Sequence, residues 1–394
     1  MRRVAVVGAS AAGLAAVETL RRQGFGGEVV LIGDEPHPPY DRPPLSKQIL
    51  SARWEPDRLA LRTPDVLEGL DVRLRLGSAA TGLDTRAREV VLTDGERVAY
   101  DGLVVATGVR PRRLPGTGGH VLRTLEDALA LREGLRPGRR LVVVGAGFLG
   151  AEAAASAREL GCEVTMVEPA PVPLAHAVGE EVGRVLSRLH TERGVDLRTG
   201  TGVAEVHSDG VALEGGETIG ADEVLVAVGS VPGTDWLAGS GLEVGDGLVC
   251  DAYCSAAPGV YAAGDVARWE HPRFGSMRVE HRTHAAEQGM AAARNLLAPE
   301  GKGKPFAPVP YFWSDQYGVR IQAYGHLRGH EETAVVEGDP GSDRFVVAYR
   351  AGGHVTGVLA VGVPPKVLRS WRRAVADGAP WKDTVEGAVA DAVR

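Results

Sequence analysis

Two glycine-rich turns, each set between an apolar strand and a helical pattern, constrain this chain of 394 residues more than any other feature. In the first, Val4, Val6 and Val7 run into Gly8-Ala9-Ser10-Ala11-Ala12-Gly13, and Leu14, Val17 and Leu20 then recur on one helical face. This predicts strand, tight turn, helix. A second strand, Glu28–Ile32, leads to Asp34. In a dinucleotide-binding βαβ unit the first glycine permits the turn, the helix N-terminus offers backbone N–H groups to a pyrophosphate, and an acid after the second strand accepts from a ribose hydroxyl. Ser10 stands where the GxGxxG pattern has its middle glycine. The arrangement recurs: residues 141–144 form an apolar run, Gly145-Ala146-Gly147-Phe148-Leu149-Gly150 is a complete GxGxxG, and a helix and strand lead to Glu168. Two such units in register imply two dinucleotides, FAD and a nicotinamide nucleotide, and hence hydride transfer between cofactors that carry the chemistry.

The chain is too long for one ordinary core, and its length predicts two or three domains. A formal charge of −7 argues against a nucleic-acid partner, because a phosphate-tracking surface shows as a basic excess. Three cysteines do not make a disulfide framework, which points to a reducing cytoplasm. Met1-Arg2-Arg3 before an apolar run has the outline of a secretion signal. However, Glu18, Arg21 and Arg22 continue the helical pattern, and the second glycine-rich copy is internal. No apolar run reaches the roughly 18 residues of a membrane span, so neither export nor membrane insertion is expected.

After the first unit, prolines over residues 36–44 predict a rigid loop, with a helix starting at Leu45. Arg42 and Lys47 in this segment are expected to reach toward the first cofactor. Residues 71–105 read as short strands, with a hairpin about Asp94-Gly95 and a buried run ending at Thr107-Gly108. A helix over residues 125–135 precedes the second unit, which closes on a hairpin over 203–218, a strand over 224–228 and Gly229. Gly264-Asp265 ends one more strand, and an Ala-rich helix over 285–297 follows. From Pro310 the texture changes to Tyr311-Phe312-Trp313, alternating strands over 345–349 and 356–361, and a basic helix over 366–375. The expected architecture is α/β, with two Rossmann-like domains and a C-terminal α+β domain. The expected boundaries are 1–110 with 233–309, 111–232, and 310–394.

The segments GASAAG, PYDRPPLSK, VATGVRPR, LRTLEDA, VVVGAGFLGAE, GVYAAGD, EHRTHAAEQG and PYFWSDQ together resemble the FAD-dependent NADH:ferredoxin reductases that serve bacterial oxygenases. The resemblance implies a glutathione-reductase-like fold. It also implies an FAD site at Gly8, Ser10, Ala12, Gly13, Asp34, Arg42, Lys47, Ala80, Thr107, Gly108, Arg123 and Asp265, closed by Glu280, His281, Arg282 and Trp313. NADH would be held by Gly145, Gly147, Phe148, Leu149, Gly150, Glu168 and Gly229. Lys47, Glu152 and Trp313 take catalytic roles, with Glu152 facing Lys47 and the nicotinamide. Many relatives carry Trp where this chain has Arg282, and some carry Trp in place of Tyr311.

Disulfide reductases of this fold place redox cysteines in the loop occupied here by residues 41–47, and no cysteine is there. Cys162, Cys250 and Cys254 read as packing residues, and His281 and His284 lack partners at metal-ligand spacing. The favoured reading is a ferredoxin–NAD(+) reductase, a monomer or weak homodimer that passes single electrons to an iron–sulfur ferredoxin. Alternatives are a rubredoxin reductase, an NADH:quinone or oxygen oxidoreductase, and a redox-sensing interaction protein like apoptosis-inducing factor. Arginines at 110, 112 and 113 and at 369, 372 and 373 are candidates for meeting an acidic partner.

Overall fold

The computed structural model describes residues 1–386 and divides into two compact units. The first comprises residues 1–41, 57–110 and 230–308; the second comprises 42–56, 111–229 and 309 onward.

In the first unit a six-stranded sheet has the spatial order Ser255–Ala257, Val260–Ala262, Gly102–Val105, Arg3–Val7, Glu28–Ile32, Val72–Arg75. Its pairings are parallel except at the Ser255–Ala257 edge. The central strands are nearly continuous Val, Ile and Leu, as strands covered on both faces must be. The helices Ala11–Arg22 and Arg282–Leu297 cross so closely that a Cβ on Gly289 would lie 2.2 Å from the Ala12 carbonyl oxygen. The segment between Val72–Arg75 and Gly102–Val105 is a three-stranded antiparallel sheet that includes the hairpin expected about Asp94-Gly95.

The second unit holds a four-stranded parallel sheet in the order Asp196–Thr199, Glu163–Glu168, Arg140–Val144, Glu223–Val226. The hairpin expected over 203–218 gains a third strand, Thr218–Gly220. A five-stranded antiparallel sheet follows, in the order Tyr311–Gln316, Val319–Gly325, His354–Val361, Arg344–Ala351, Glu332–Asp339. Period-two alternation gives this sheet two apolar faces. On one, Ile321, Ala323, Phe345, Val347, Leu359 and Val361 share a core with Val182, Val185, Leu186 and Leu189 of the amphipathic helix Glu180–Thr191. On the other, Val346, Ala348, Val358 and Ala360 pack against Leu368, Trp371 and Val375 of the helix Leu368–Asp377.

Candidate functional site

In the first unit, Gly8 has φ +119°, and a Cβ there would sit 2.0 Å from the Ala106 carbonyl oxygen. A Cβ on Gly13 would lie 1.9 Å from the carbonyl oxygen of Gly8, so both outer glycines are required by the chain's own close approach. Ser10 is different. It is the N-cap of the Ala11–Arg22 helix with extended backbone (φ −135°), which any residue adopts. Its counterpart Gly147 has φ −73° and open space around the position of a Cβ. The fold itself therefore does not demand a glycine at the middle position.

Neither the Ala11–Arg22 helix nor the Phe148–Glu159 helix has a side-chain N-cap bond or an acid in its first turn. Both first turns thus present backbone donors to an anion, which is the chemistry a dinucleotide pyrophosphate requires. Asp34 follows the Glu28–Ile32 strand with its side chain exposed and accepts the Glu35 N–H at 3.1 Å. Ala80 begins the Ala80–Asp84 strand. Thr107 Oγ1 donates to the Gly233 carbonyl at 2.7 Å, and Gly108, at φ +65°, completes that small turn.

Asp265 lies in the single 3-10 turn Gly264–Val266, where the Gly264 N–H donates to Gln288 Oε1 at 2.9 Å. Arg278 binds the Asp265 backbone carbonyl at 3.1 Å and Glu280 at 2.7 Å, and Glu280 also accepts from Ser230 at 2.7 Å. His281 is the N-cap of the next helix, and the following Arg282 donates to the Asp41 carboxylate. An ion pair thus ties the start of this helix to the proline-rich loop.

In the second unit, Arg42 Nη1 donates to the Arg123 carbonyl at 2.7 Å. Arg123 precedes a capping box in which Thr124 and Asp127 bind each other's backbone N–H groups. Lys47 sits in the π-helical turn Leu45–Ile49, fastened to the Phe148–Glu159 helix by Ser156 Oγ donating to the Ser46 carbonyl at 2.7 Å. Lys47 Nζ reaches Glu152 Oε2 at 2.6 Å, with side chains only 10% and 8% exposed. Ser46 Oγ donates to the same oxygen at 2.5 Å, and Ser314 Oγ donates to Oε1 at 2.8 Å. Trp313 is half-buried on the opposite face of its strand, stacked on Tyr311 at 5.9 Å.

The second glycine-rich turn repeats the first: Gly145 has φ +101°, and a Cβ on Gly150 would lie 2.1 Å from the Gly145 carbonyl oxygen. Phe148 opens the helix with its ring 4.8 Å from that of Phe312, and Leu149 beside it is exposed. Glu168 accepts the Ala146 N–H at 2.7 Å and the Ala170 N–H at 3.0 Å, so the acid also braces the turn. Gly229, at φ +93°, has no atom near the position of a Cβ and accepts the Arg112 N–H at 2.9 Å.

Residues 2–289 match the pyridine nucleotide–disulphide oxidoreductase family and residues 311–392 the reductase C-terminal family. The ferredoxin–NAD(+) reductase component of the p-cumate 2,3-dioxygenase system of Pseudomonas putida is 36% identical over 94% of this chain and 92% of its own. The chain belongs to the NADH-dependent ferredoxin reductases. Among solved structures, the reductase in a covalent putidaredoxin reductase–putidaredoxin complex superposes with a TM-score of 0.91 at 33% identity, covering 96% of this chain and 94% of that one. A ferredoxin reductase of Rhodopseudomonas palustris gives 0.91 at 30% identity, covering 98% and 97%. The cofactors of this reductase family are FAD and NADH.

Sequence reasoning missed several polar residues of this reductase: Ser46, Ser156, Gln288, Ser314, Gln316 and His190. Two signals for them were present. Ser314 and Gln316 alternate with Phe312 on a buried strand face, and His190 follows Val182 and Leu186 at helical spacing on a buried helix face. All three of the buried cysteines lie outside the 41–47 loop. Among the described residues no group of three or more His, Cys, Asp or Glu side chains could hold a metal, and no helix is long and apolar enough to cross a membrane.

Proposed function

We propose that this reductase takes a hydride from NADH onto FAD and passes electrons singly to a small, acidic iron–sulfur ferredoxin that serves an oxygenase, in the cytoplasm. The carrying observation is the buried Lys47–Glu152 pair at the start of the second nucleotide-binding helix. It lies in the segment where disulfide reductases of the fold keep their cysteines. FAD, when bound, accepts the hydride as an electron pair and releases single electrons. On this reading residues 1–110 and 233–309 hold FAD, 111–232 hold NADH, and 310–394 form the C-terminal domain. The outer glycines, Asp34 and Asp265 serve the first cofactor and Glu168 the second, while Lys47 supplies a fixed positive charge and Glu152 holds it in place.

The partner reading draws on the sheet register. Tyr311 pairs with Tyr324 and Trp313 with Gln322, which puts Trp313 on the sheet face covered by the Leu368–Asp377 helix. Arg369, Arg372 and Arg373 are exposed on that helix, with Arg372 stacked over Tyr324 at 5.3 Å and Tyr324 4.6 Å from Tyr311. A basic surface joined to Trp313 by adjoining aromatic rings suits an acidic electron acceptor.

Stopped-flow reduction by NADH, followed by mixing with candidate ferredoxins, tests both half-reactions. Rapid bleaching of flavin absorbance and its return with ferredoxin is the expected result. A protein that takes up FAD and is not reduced by NADH, or that is reduced and passes electrons to no ferredoxin, would overturn the reading.

A further inference from the structure

A continuous line of buried polar groups leads away from Glu152, and the reaction as described does not use it. Ser314 Oγ, which donates to Glu152 Oε1 at 2.8 Å, accepts from Gln316 Nε2 at 3.1 Å. Gln316 Oε1 lies 3.1 Å from His190 Nε2, and His190 Nδ1 lies 3.0 Å from the Tyr317 hydroxyl. Ser314 and His190 are wholly buried, and Gln316 is 1% exposed. The line crosses three elements: the Phe148–Glu159 helix, the Tyr311–Gln316 strand and the Glu180–Thr191 helix.

The direction of each hydrogen bond follows from the two ends. Glu152 Oε1 accepts, so Ser314 donates its only proton there and must itself accept from the Gln316 amide. The Gln316 carbonyl then faces His190, which makes Nε2 the protonated ring nitrogen and Nδ1 the acceptor. Tyr317 donates to Nδ1, and burial raises its hydroxyl pKa, so that proton stays in place. Burial also holds His190 down at about 4, well under its ordinary value, so the ring is neutral as this pattern requires. Every dipole in the line therefore points its positive end toward the Glu152 carboxylate, and such aligned bonds reinforce one another in a low dielectric.

The far end is anchored by backbone that nothing local favours. Tyr317 and Gly318 form the two-residue turn between Tyr311–Gln316 and Val319–Gly325, with φ +52° and +77°. That is the type I′ arrangement, which prefers Asn or Gly at its first position. A tyrosine persists there because its ring lies edge-on to His190 at 5.3 Å and under the Arg193 guanidinium at 4.9 Å.

We infer that Ser314, Gln316 and His190 are positioning residues for hydride transfer: they fix the Glu152 carboxylate in one orientation, and through it the Lys47 side chain. This rests on the functional reading of the Lys47–Glu152 pair, and the test separates the two.

Two measurements decide it. In histidine-labelled protein, the His190 ring is assigned from the signal lost in His190→Gln. It should show the Nε2–H neutral pattern at neutral pH, and both Ser314→Ala and Glu152→Gln should displace it. Arg184→Gln, on the exposed face of the same helix, should not. In FAD-loaded protein, Ser314→Ala should slow flavin reduction at saturating NADH by about tenfold with the NADH dissociation constant unchanged, because a misplaced charge loses transition-state stabilisation while substrate contacts remain. Ser314→Thr, which keeps the hydroxyl, should restore most of the rate.

A His190 spectrum indifferent to both Ser314→Ala and Glu152→Gln would overturn the line as a connected unit. If Glu152→Gln slows reduction and Ser314→Ala does not, the ion pair's role stands and the positioning role fails. If neither slows it, both fail.

Discussion

Lys47 is one of the few charged side chains buried among the described residues, and its only carboxylate partner there is Glu152. A fixed ammonium beside a centre that gains electron density lowers the barrier for that gain without binding the donor more tightly. Lys47→Met should therefore slow flavin reduction by roughly tenfold or more and lower the flavin midpoint potential, with NADH affinity nearly unchanged. An unaltered rate in stopped flow would count against it. Glu168 makes a second prediction at this scale. Its carboxylate can accept from a ribose 2′-hydroxyl and would repel a 2′-phosphate, so kcat/KM should favour NADH over NADPH. Because the same carboxylate accepts the Ala146 and Ala170 N–H groups, Glu168→Arg should raise the NADPH-to-NADH ratio while weakening the binding of both. Comparable efficiency with both nucleotides in the unaltered protein would refute this.

At the scale of elements, the crossing of Ala11–Arg22 and Arg282–Leu297 depends on Gly289. Gly289→Val would drive its branched side chain into the Ala12 backbone, forcing the helices apart beneath the first glycine-rich turn. A loss of about 3 kcal/mol in chemical denaturation, with weakened FAD retention, is the expected outcome; wild-type stability would show that the crossing tolerates the added volume. This crossing was not legible in the sequence, because the two helices are far apart in the chain and no periodicity encodes their distance. The two strand–turn–helix repeats were legible, since glycine, apolar strand and terminal acid are local signals that two copies repeat. So was the Lys47–Glu152 pair, through the segments that carry it. The Ser314–Gln316–His190 line was readable only in fragments: each residue sat on an apolar face, but nothing local says that three polar residues from two distant segments meet.

For the whole molecule, two deeply buried histidines weaken the fold as pH falls. Burial holds His190 at about 4 and His284 at about 3, against an ordinary value of 6.5. Between these values and 6.5 the unfolded chain binds protons that the folded chain refuses, so stability falls as pH falls. The slope approaches about 1.4 kcal/mol per pH unit for each histidine. Denaturation midpoints should drop between pH 7 and pH 5, and by less in His190→Gln when each protein is compared with itself at pH 7. A pH dependence in His190→Gln as steep as that of the unaltered protein would contradict the assignment. Electrostatics is also the proposed basis of partner docking. Raising ionic strength should cut ferredoxin reduction while sparing a neutral small acceptor, because exposed charges are screened beyond about 10 Å at 0.1 M salt. Arg372→Glu/Arg373→Glu should raise KM for ferredoxin. If salt and charge reversal leave it untouched, docking uses another surface.

The Tyr311–Gln316 strand carries Phe312, Ser314 and Gln316 on one side and Tyr311, Trp313 and Asp315 on the other. Adjacent residues of a strand never compete for the same face, so on the proposed reading the meeting with the electron acceptor and the tuning of hydride transfer would be written in alternate letters of one six-residue word. On that reading, a reductase re-targeted to a new ferredoxin would change the odd-numbered letters and keep the even ones. A single-residue insertion in this strand, by contrast, would exchange the two sides from that point on and spoil both properties at once.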